Sequence, residues 1–191
     1  MTRKRQSRNK ADNSLLADNS PFAFSESYKS LRTNLEFSTF DGELKVILLT
    51  SSIPDEGKSS VSINIAKTLA DTGKKVLLID GDLRSPSVGR YLRVRRDVTQ
   101  GFSTVLSGKA SLKESIYTYN ASRFDVMLSG PIPPNPAELL SRNLTEHVLN
   151  ELKELYDYIL IDTPPVGVVS DATVLSRYVD GALFVVRHNS T

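Results

Sequence analysis

The sequence predicts an α/β protein, a mostly parallel β-sheet flanked by helices on both faces. Two observations lead there. Short apolar runs alternate along the chain with stretches of helical periodicity, the pattern of strands joined by crossover helices. The runs are apolar throughout rather than every second residue, as in strands buried on both faces. At 191 residues, 39% hydrophobic and 24% charged, the chain suits one domain with a full core and is too short for two comfortable ones.

Residues 1–24 are polar, basic and rich in Asn and Ser, and bury too little apolar surface to offset the entropy of ordering. They are expected to be a flexible arm, with a single domain over 25–191. From Ser25, "SESYKSLRTNLEFS" sets Tyr28, Leu31 and Leu35 on one helical face, with Ser25 capping the first turn. "KVILLTSS" then reads as a buried strand, Lys58 to about Thr72 as a helix stopped by Gly73, and "KVLLID" as the second strand of a βαβ unit. Further strands are expected in "RFDVML" from Arg123, "YDYILID" from Tyr156 and "GALFVV" from Gly181. Helices are expected near Gly101 to Ser107, over Pro136 to Leu155 in two pieces, and over Ser170 to Val179. Ligands of such sheets bind outside the carboxyl ends of the strands.

Composition excludes several functions. Without cysteine there is no disulfide framework, thiolate nucleophile or cysteine zinc site, and two distant histidines, His147 and His188, make no metal cluster. The apolar runs fall short of the roughly 18 residues of a membrane span, and no secretory signal opens the chain. A cytoplasmic protein is expected. The net charge of +2 hides an asymmetry: "MTRKRQSRNK" carries five basic residues, which leaves −3 on the remainder. A nucleic-acid partner is therefore not indicated, while the basic arm suits a solvated tail or an anionic membrane surface.

The chemistry sits in three segments. "SIPDEGKS", Ser52 to Ser59, departs from G-x-x-x-x-G-K-[ST] only at its first position, and lies between a strand and a helix. In such a phosphate loop backbone N–H groups and the helix N-terminus hold the anion. The expected nucleotide contacts are Ser52, Pro54, Asp55, Glu56, Gly57, Lys58, Ser59 and Ser60, with Lys58 on the β- and γ-phosphates and Ser59 on Mg²⁺. The acids Asp55 and Glu56 are expected to face solvent while their amides face the phosphates. In "VLLIDGDLRSP", Asp80 and Asp82 emerge at a strand's carboxyl end and point the same way. In "YILIDTPPVG", Asp162 ends another strand, as a Walker B aspartate does. Clustered carboxylates repel and make most sense around a cation, so Ser59, Asp80, Asp82 and Asp162 are the expected metal set.

These residues resemble the bacterial tyrosine kinases, built on a P-loop ATPase fold. The resemblance runs from Glu26 to Thr191 through "SSIPDEGKS" as Walker A, "DGDLRSP" as the second aspartate motif, "LIDTPP" as Walker B, and "SGPIPPNPAELL" from Ser129. It implies ATP and Mg²⁺ as cofactors and transfer of phosphate to protein tyrosine, with Lys58 on phosphate, Asp80 in the transfer step, and Asp82 and Asp162 serving the metal. Arg84 is a candidate to stabilise transferring charge or to pair with an acid. "ESYKSLR" resembles the family's ring-forming E-x-x-R-x-x-R helix, with Glu26 and Arg32 matching and Lys29 in place of an arginine, which keeps the charge but loses the planar fork. The resemblance further implies homo-oligomeric rings, a separate transmembrane activator or adaptor, a place at the inner face of the membrane, and a role in capsular or exopolysaccharide synthesis and export. The family's C-terminal tyrosine-rich tail is not seen. Of the seven tyrosines only Tyr117 and Tyr119 lie close together, in an alternation that reads as packing. The alternative function is a ParA/MinD-like ATPase switch, against which Ile53 stands where those proteins carry a second lysine; a non-catalytic assembly module is a third.

Overall fold

A computed structural model describes residues 14–38, 44–94, 99–119 and 123–188. In chain order they form α1 (Phe22–Phe37), β1 (Val46–Ser51), α2 (Lys58–Ala70), β2 (Val76–Asp80), α3 (Val88–Tyr91), α4 (Phe102–Leu106), α5 (Leu112–Ser115), β3 (Ile116–Tyr119), β4 (Phe124–Met127), α6 (Pro136–Leu140), α7 (Asn143–Leu155), β5 (Tyr158–Asp162), α8 (Asp171–Leu175), a 3₁₀ turn (Ser176–Tyr178) and β6 (Gly181–Val185). The strands make one six-stranded sheet ordered β3-β4-β2-β5-β1-β6, parallel except for β3 against β4.

Successive side chains of a strand point to opposite faces, and two cores result. Val46, Leu48, Leu77, Ile79, Ile159 and Ile161 meet the apolar sides of α4, α6, α7 and α8. Ile47, Leu49, Val76, Leu78 and Leu160 meet α1, α2 and α3. Because the central strands are covered on both sides, β1, β2 and β5 are buried along their whole length. The register pairs Leu49 with Asp162 and Asp80 with Asp162, so the carboxyl ends of these three strands align.

Helix α2 lies between the sheet and α1 and is buried nearly all round, including Ser62, Asn64 and Thr68. Such polar residues are tolerated inside only when bonded. Ser62 and Thr68 donate to carbonyls one turn back, those of Lys58 and Asn64, and Asn64 faces the N-terminal segment.

Three expectations need correction. The arm predicted over residues 1–24 is ordered where it is described, from Ser14 onward. Leu15 packs against the second core, the Leu16 N–H donates to Asn64 Oδ1 at 2.8 Å, and Asn64 Nδ2 donates to the Ser14 carbonyl at 2.8 Å; residues 1–13 lie outside the described part. The first helix begins at Phe22, not Ser25, because Pro21 presets its entry with φ −54° and accepts from the Ser25 N–H. The segment "IYTY" is an antiparallel edge strand, β3, preceded by α5 with a Ser111–Glu114 capping box. Tyr117 on this edge is exposed, while Tyr119 packs against the second core and the Phe124 ring, as the packing reading expects.

Candidate functional site

The loop after β1 turns through two residues with left-handed backbone. Gly57, at φ 94°, stands just before α2, and Asp55 is at φ 65°. Glycine takes such angles without strain and Asp tolerates them, which is how a loop with one glycine closes. Asp55 is exposed as expected, but Glu56 is not: it is only 7% exposed. Its carboxylate folds back into the loop. Oε2 accepts from the Ser52 and Ile53 N–H groups at 2.9 and 3.2 Å, and Oε1 accepts from the Arg187 N–H at 3.1 Å. The expectation that Glu56 faces solvent is overturned because the loop's first amides are themselves buried donors that must find an acceptor. The Ser52 amide is thereby committed within the chain, and Pro54 has no N–H to give.

Behind the loop, β1 and the end of β5 are stitched together. Thr163 donates both its N–H and its hydroxyl to the Leu49 carbonyl, Thr50 Oγ1 donates to the Pro164 carbonyl, and the Val166 N–H donates to the Ser51 carbonyl. Asp162 is therefore held against the start of α2. Ser59 Oγ donates to Asp162 Oδ2 at 2.5 Å, and Ser62 Oγ lies 3.0 Å from Oδ1, its one proton shared between that oxygen and the Lys58 carbonyl. Burial pushes the Asp162 carboxyl up to about 6, against the pull of the Lys58 charge and of the two serine hydroxyls.

Asp80 lies across from Asp162 on β2. Its Oδ2 accepts from the Val88 N–H at 3.1 Å, while its Oδ1 is buried without a hydrogen-bond partner. Burial, and next the Asp162 charge, hold it well above the usual carboxylate range. Gly81 explains the tight spacing of this motif: a Cβ there would stand 2.8 Å from Ile161 Cγ2 and 3.1 Å from the Asp162 carbonyl oxygen. Asp82 is half-buried and its Oδ1 accepts from the Arg84 and Ser85 N–H groups, so it also closes the turn. Its charge still raises both Asp80 and Asp162.

Arg84 is engaged elsewhere. Its Nε and Nη2 reach Asp171 Oδ2 and Oδ1, both at 2.8 Å, and that hydrogen-bonded pair raises its pKa. Of its two sequence readings, pairing with an acid is the one this geometry carries. On α1, Lys29 Nζ and Glu26 Oε1 pair at 2.8 Å on the surface, whereas Arg32 turns inward, 3.4 Å from the Thr68 carbonyl oxygen and 3.9 Å from Glu36.

Sequence reasoning missed Ser62, Ser87 and Asp171. Ser62 had a signal, its three-residue spacing from Ser59 on one helix. Ser87 Oγ lies 2.6 Å from Ser59 Oγ, a contact between segments that no local pattern announces. The proline-rich segment from Ser129 walls a cavity of about 670 Å³ with α4 and α6, lined by none of the loop residues.

Among the described residues no group of three acids or histidines is disposed as a metal cage. Magnesium in phosphate-transfer sites is held by one or two carboxylates together with the substrate's phosphates. A hydroxyl bonded to Asp162, a facing Asp80 with an unpartnered buried oxygen, and a neighbouring lysine loop fit a cation of that kind.

Comparison with known proteins agrees with this geometry. A family model described as an AAA domain matches residues 45–179. The chain is 42% identical over 167 residues to the tyrosine-protein kinase YwqD of Bacillus subtilis, covering 87% of this chain and 70% of that protein. The kinase domain of the Escherichia coli tyrosine kinase ETK superposes with a TM-score of 0.85 at 35% identity, over 92% of this chain and 71% of that one. More distant is the septum site-determining protein MinD from Pyrococcus horikoshii, solved with Mg-ADP, with a TM-score of 0.63 and 29% identity over 74% of this chain and 57% of that one. The identity over most of its length decides among these likenesses: the chain belongs to the bacterial tyrosine-protein kinases, a P-loop family.

Proposed function

We propose that the chain catalyses transfer of the γ-phosphoryl group of ATP to protein tyrosine at the carboxyl ends of β1, β2 and β5, with Asp80 as the base. The observation that carries the proposal is the buried facing pair Asp80 and Asp162, one bonded to Ser59 and the other with a buried oxygen that has no partner. Lys58 and the amides opening α2 hold the triphosphate, and Ser59, Asp82 and Asp162 with Asp80 would hold Mg²⁺. When bound, the cation neutralises charge on the β- and γ-phosphates.

Tyrosine, with a pKa of about 10, arrives protonated. Its oxygen forms the new bond to phosphorus as the bond to the β-phosphate oxygen breaks. The phenolic proton passes to Asp80, and ADP leaves. Burial makes Asp80 a stronger base than an exposed carboxylate. Asp80→Asn keeps the size and loses the base. ATP binding should persist while phosphotyrosine formation, read by immunoblot after incubation with MgATP and a tyrosine-containing acceptor, falls by roughly 10²-fold or more. Undiminished transfer would refute the role of Asp80. Release of free phosphate by the unaltered protein, with no phosphotyrosine, would favour the ATPase switch instead.

The resemblance also supports ring assembly through the α1 surface at Glu26 and Lys29, a separate transmembrane activator, a place at the inner membrane face and a role in surface polysaccharide export. No described helix is long and apolar enough to cross a membrane. Arg32, the third residue of that set, reaches the Thr68 carbonyl oxygen on α2. Light scattering of the Glu26→Lys variant checks the ring: a smaller particle is expected, and unchanged mass removes the assignment.

A further inference from the structure

Glu56 is the acid that the phosphate loop has least reason to contain. Its carboxylate sits at a candidate anion site, yet it is buried and takes three backbone N–H groups, two from its own loop and one from a segment far along the chain. An ionised carboxylate only accepts, so its two oxygens divide the work. Oε2 braces the first residues of the loop, Ser52 and Ile53. Oε1 reaches 131 positions along the chain to Arg187, in the segment that leaves β6.

We propose that Glu56 is a positioning residue that couples the segment leaving β6 to the shape of the nucleotide loop. With Arg187 in place the carboxylate is held from both sides, the Ser52–Ile53 turn is fixed, and the amides of Gly57 to Ser60 are preset for phosphate. Anything that draws Arg187 away leaves Oε1 without that donor and loosens the loop at its first turn. Nucleotide affinity thereby becomes sensitive to whatever engages the chain after β6. The inference rests on the assignment of this loop as the nucleotide site.

Four substitutions separate the parts. Glu56→Ala removes both contacts. Glu56→Gln keeps one acceptor oxygen for the loop but turns its NH₂ toward the Arg187 N–H, two donors facing, and so breaks the link alone. Arg187→Pro removes the linking N–H without touching Glu56, and Arg187→Ala retains it. Binding of methylanthraniloyl-ADP, followed by fluorescence with EDTA and again with Mg²⁺, gives the affinity, and thermal unfolding of the same samples reports on the fold. Because the loss is one of preorganisation, we expect binding weaker by about 10-fold for Glu56→Gln and Arg187→Pro, weaker still for Glu56→Ala, and unaltered for Arg187→Ala. In turnover assays the KM for ATP should rise while kcat changes little. Wild-type affinity in both Glu56→Gln and Arg187→Pro would overturn the coupling, even if Glu56→Ala were weak or unfolded. A wild-type protein that binds no nucleotide would overturn the site assignment itself, and the coupling with it.

Discussion

Two aspartates carry most of what single residues contribute here. Asp162 has its carboxyl pushed up to about 6 from an ordinary 3.8, chiefly by burial, and Asp80 is raised in the same direction. A carboxyl with a raised folded-state pKa binds its proton more tightly folded than unfolded, so stability is greater on the acid side and is lost as pH rises from about 3.8 through about 6. Each tenfold gain in proton affinity is worth about 1.4 kcal/mol, so Asp162 contributes on the order of 3 kcal/mol across that window. Metal-free protein in EDTA should therefore melt higher at pH 5 than at pH 7, and Asp162→Asn should flatten the difference. The spacing of Gly57, Lys58 and Ser59 set them at the turn from β1 into α2, where the structure has them. The direction of the Glu56 side chain could not be read from spacing, because its acceptor role depends on Arg187, far along the chain.

Between elements, the ion pair of Arg84 with Asp171 ties the loop after β2 to the first turn of α8. Asp171 is fully buried and the Arg84 side chain is 40% exposed, so the pair is shielded on one side only. Arg84→Ala strands a buried carboxylate; allowing for the exposed side, the cost should be about 2 kcal/mol in urea unfolding. Arg84→Lys should recover only part of that, since an ammonium cannot reproduce two parallel bonds. A catalytic arginine would behave differently, with wild-type stability and reduced kcat. Elements themselves were legible where the physics is local. The buried strands β1, β2 and β5 announced themselves as apolar runs, α2 as a helix following Gly57, and α6 and α7 as two pieces. What escaped were short elements such as α3, α5 and β3, too brief to show a period, and the start of α1, where Pro21 rather than Ser25 sets the first turn.

At the scale of the molecule, the site exists because the sheet aligns three strand ends and packs α2 over them. Ligand binding should therefore stabilise the whole fold. MgATP at about 100 times its Kd adds roughly 2.7 kcal/mol, which for a chain of this length raises Tm by roughly 5–10 °C; EDTA should remove the part of that shift due to the metal. The mostly parallel sheet, its helical covers, the lysine loop and the strand-end acids were all determined by the amino-acid sequence alone, since each depends on neighbours a few residues away. Only the tertiary structure decided that Asp80 and Asp162 face one another, that Ser62 and Ser87 join Ser59, that Arg84 belongs to Asp171, and that residues 14–16 are docked rather than loose. The reason is that burial and pairing are properties of segments brought together from distant parts of the chain: a side chain's chemistry is written in its type, but its partner is chosen by the packing of the sheet.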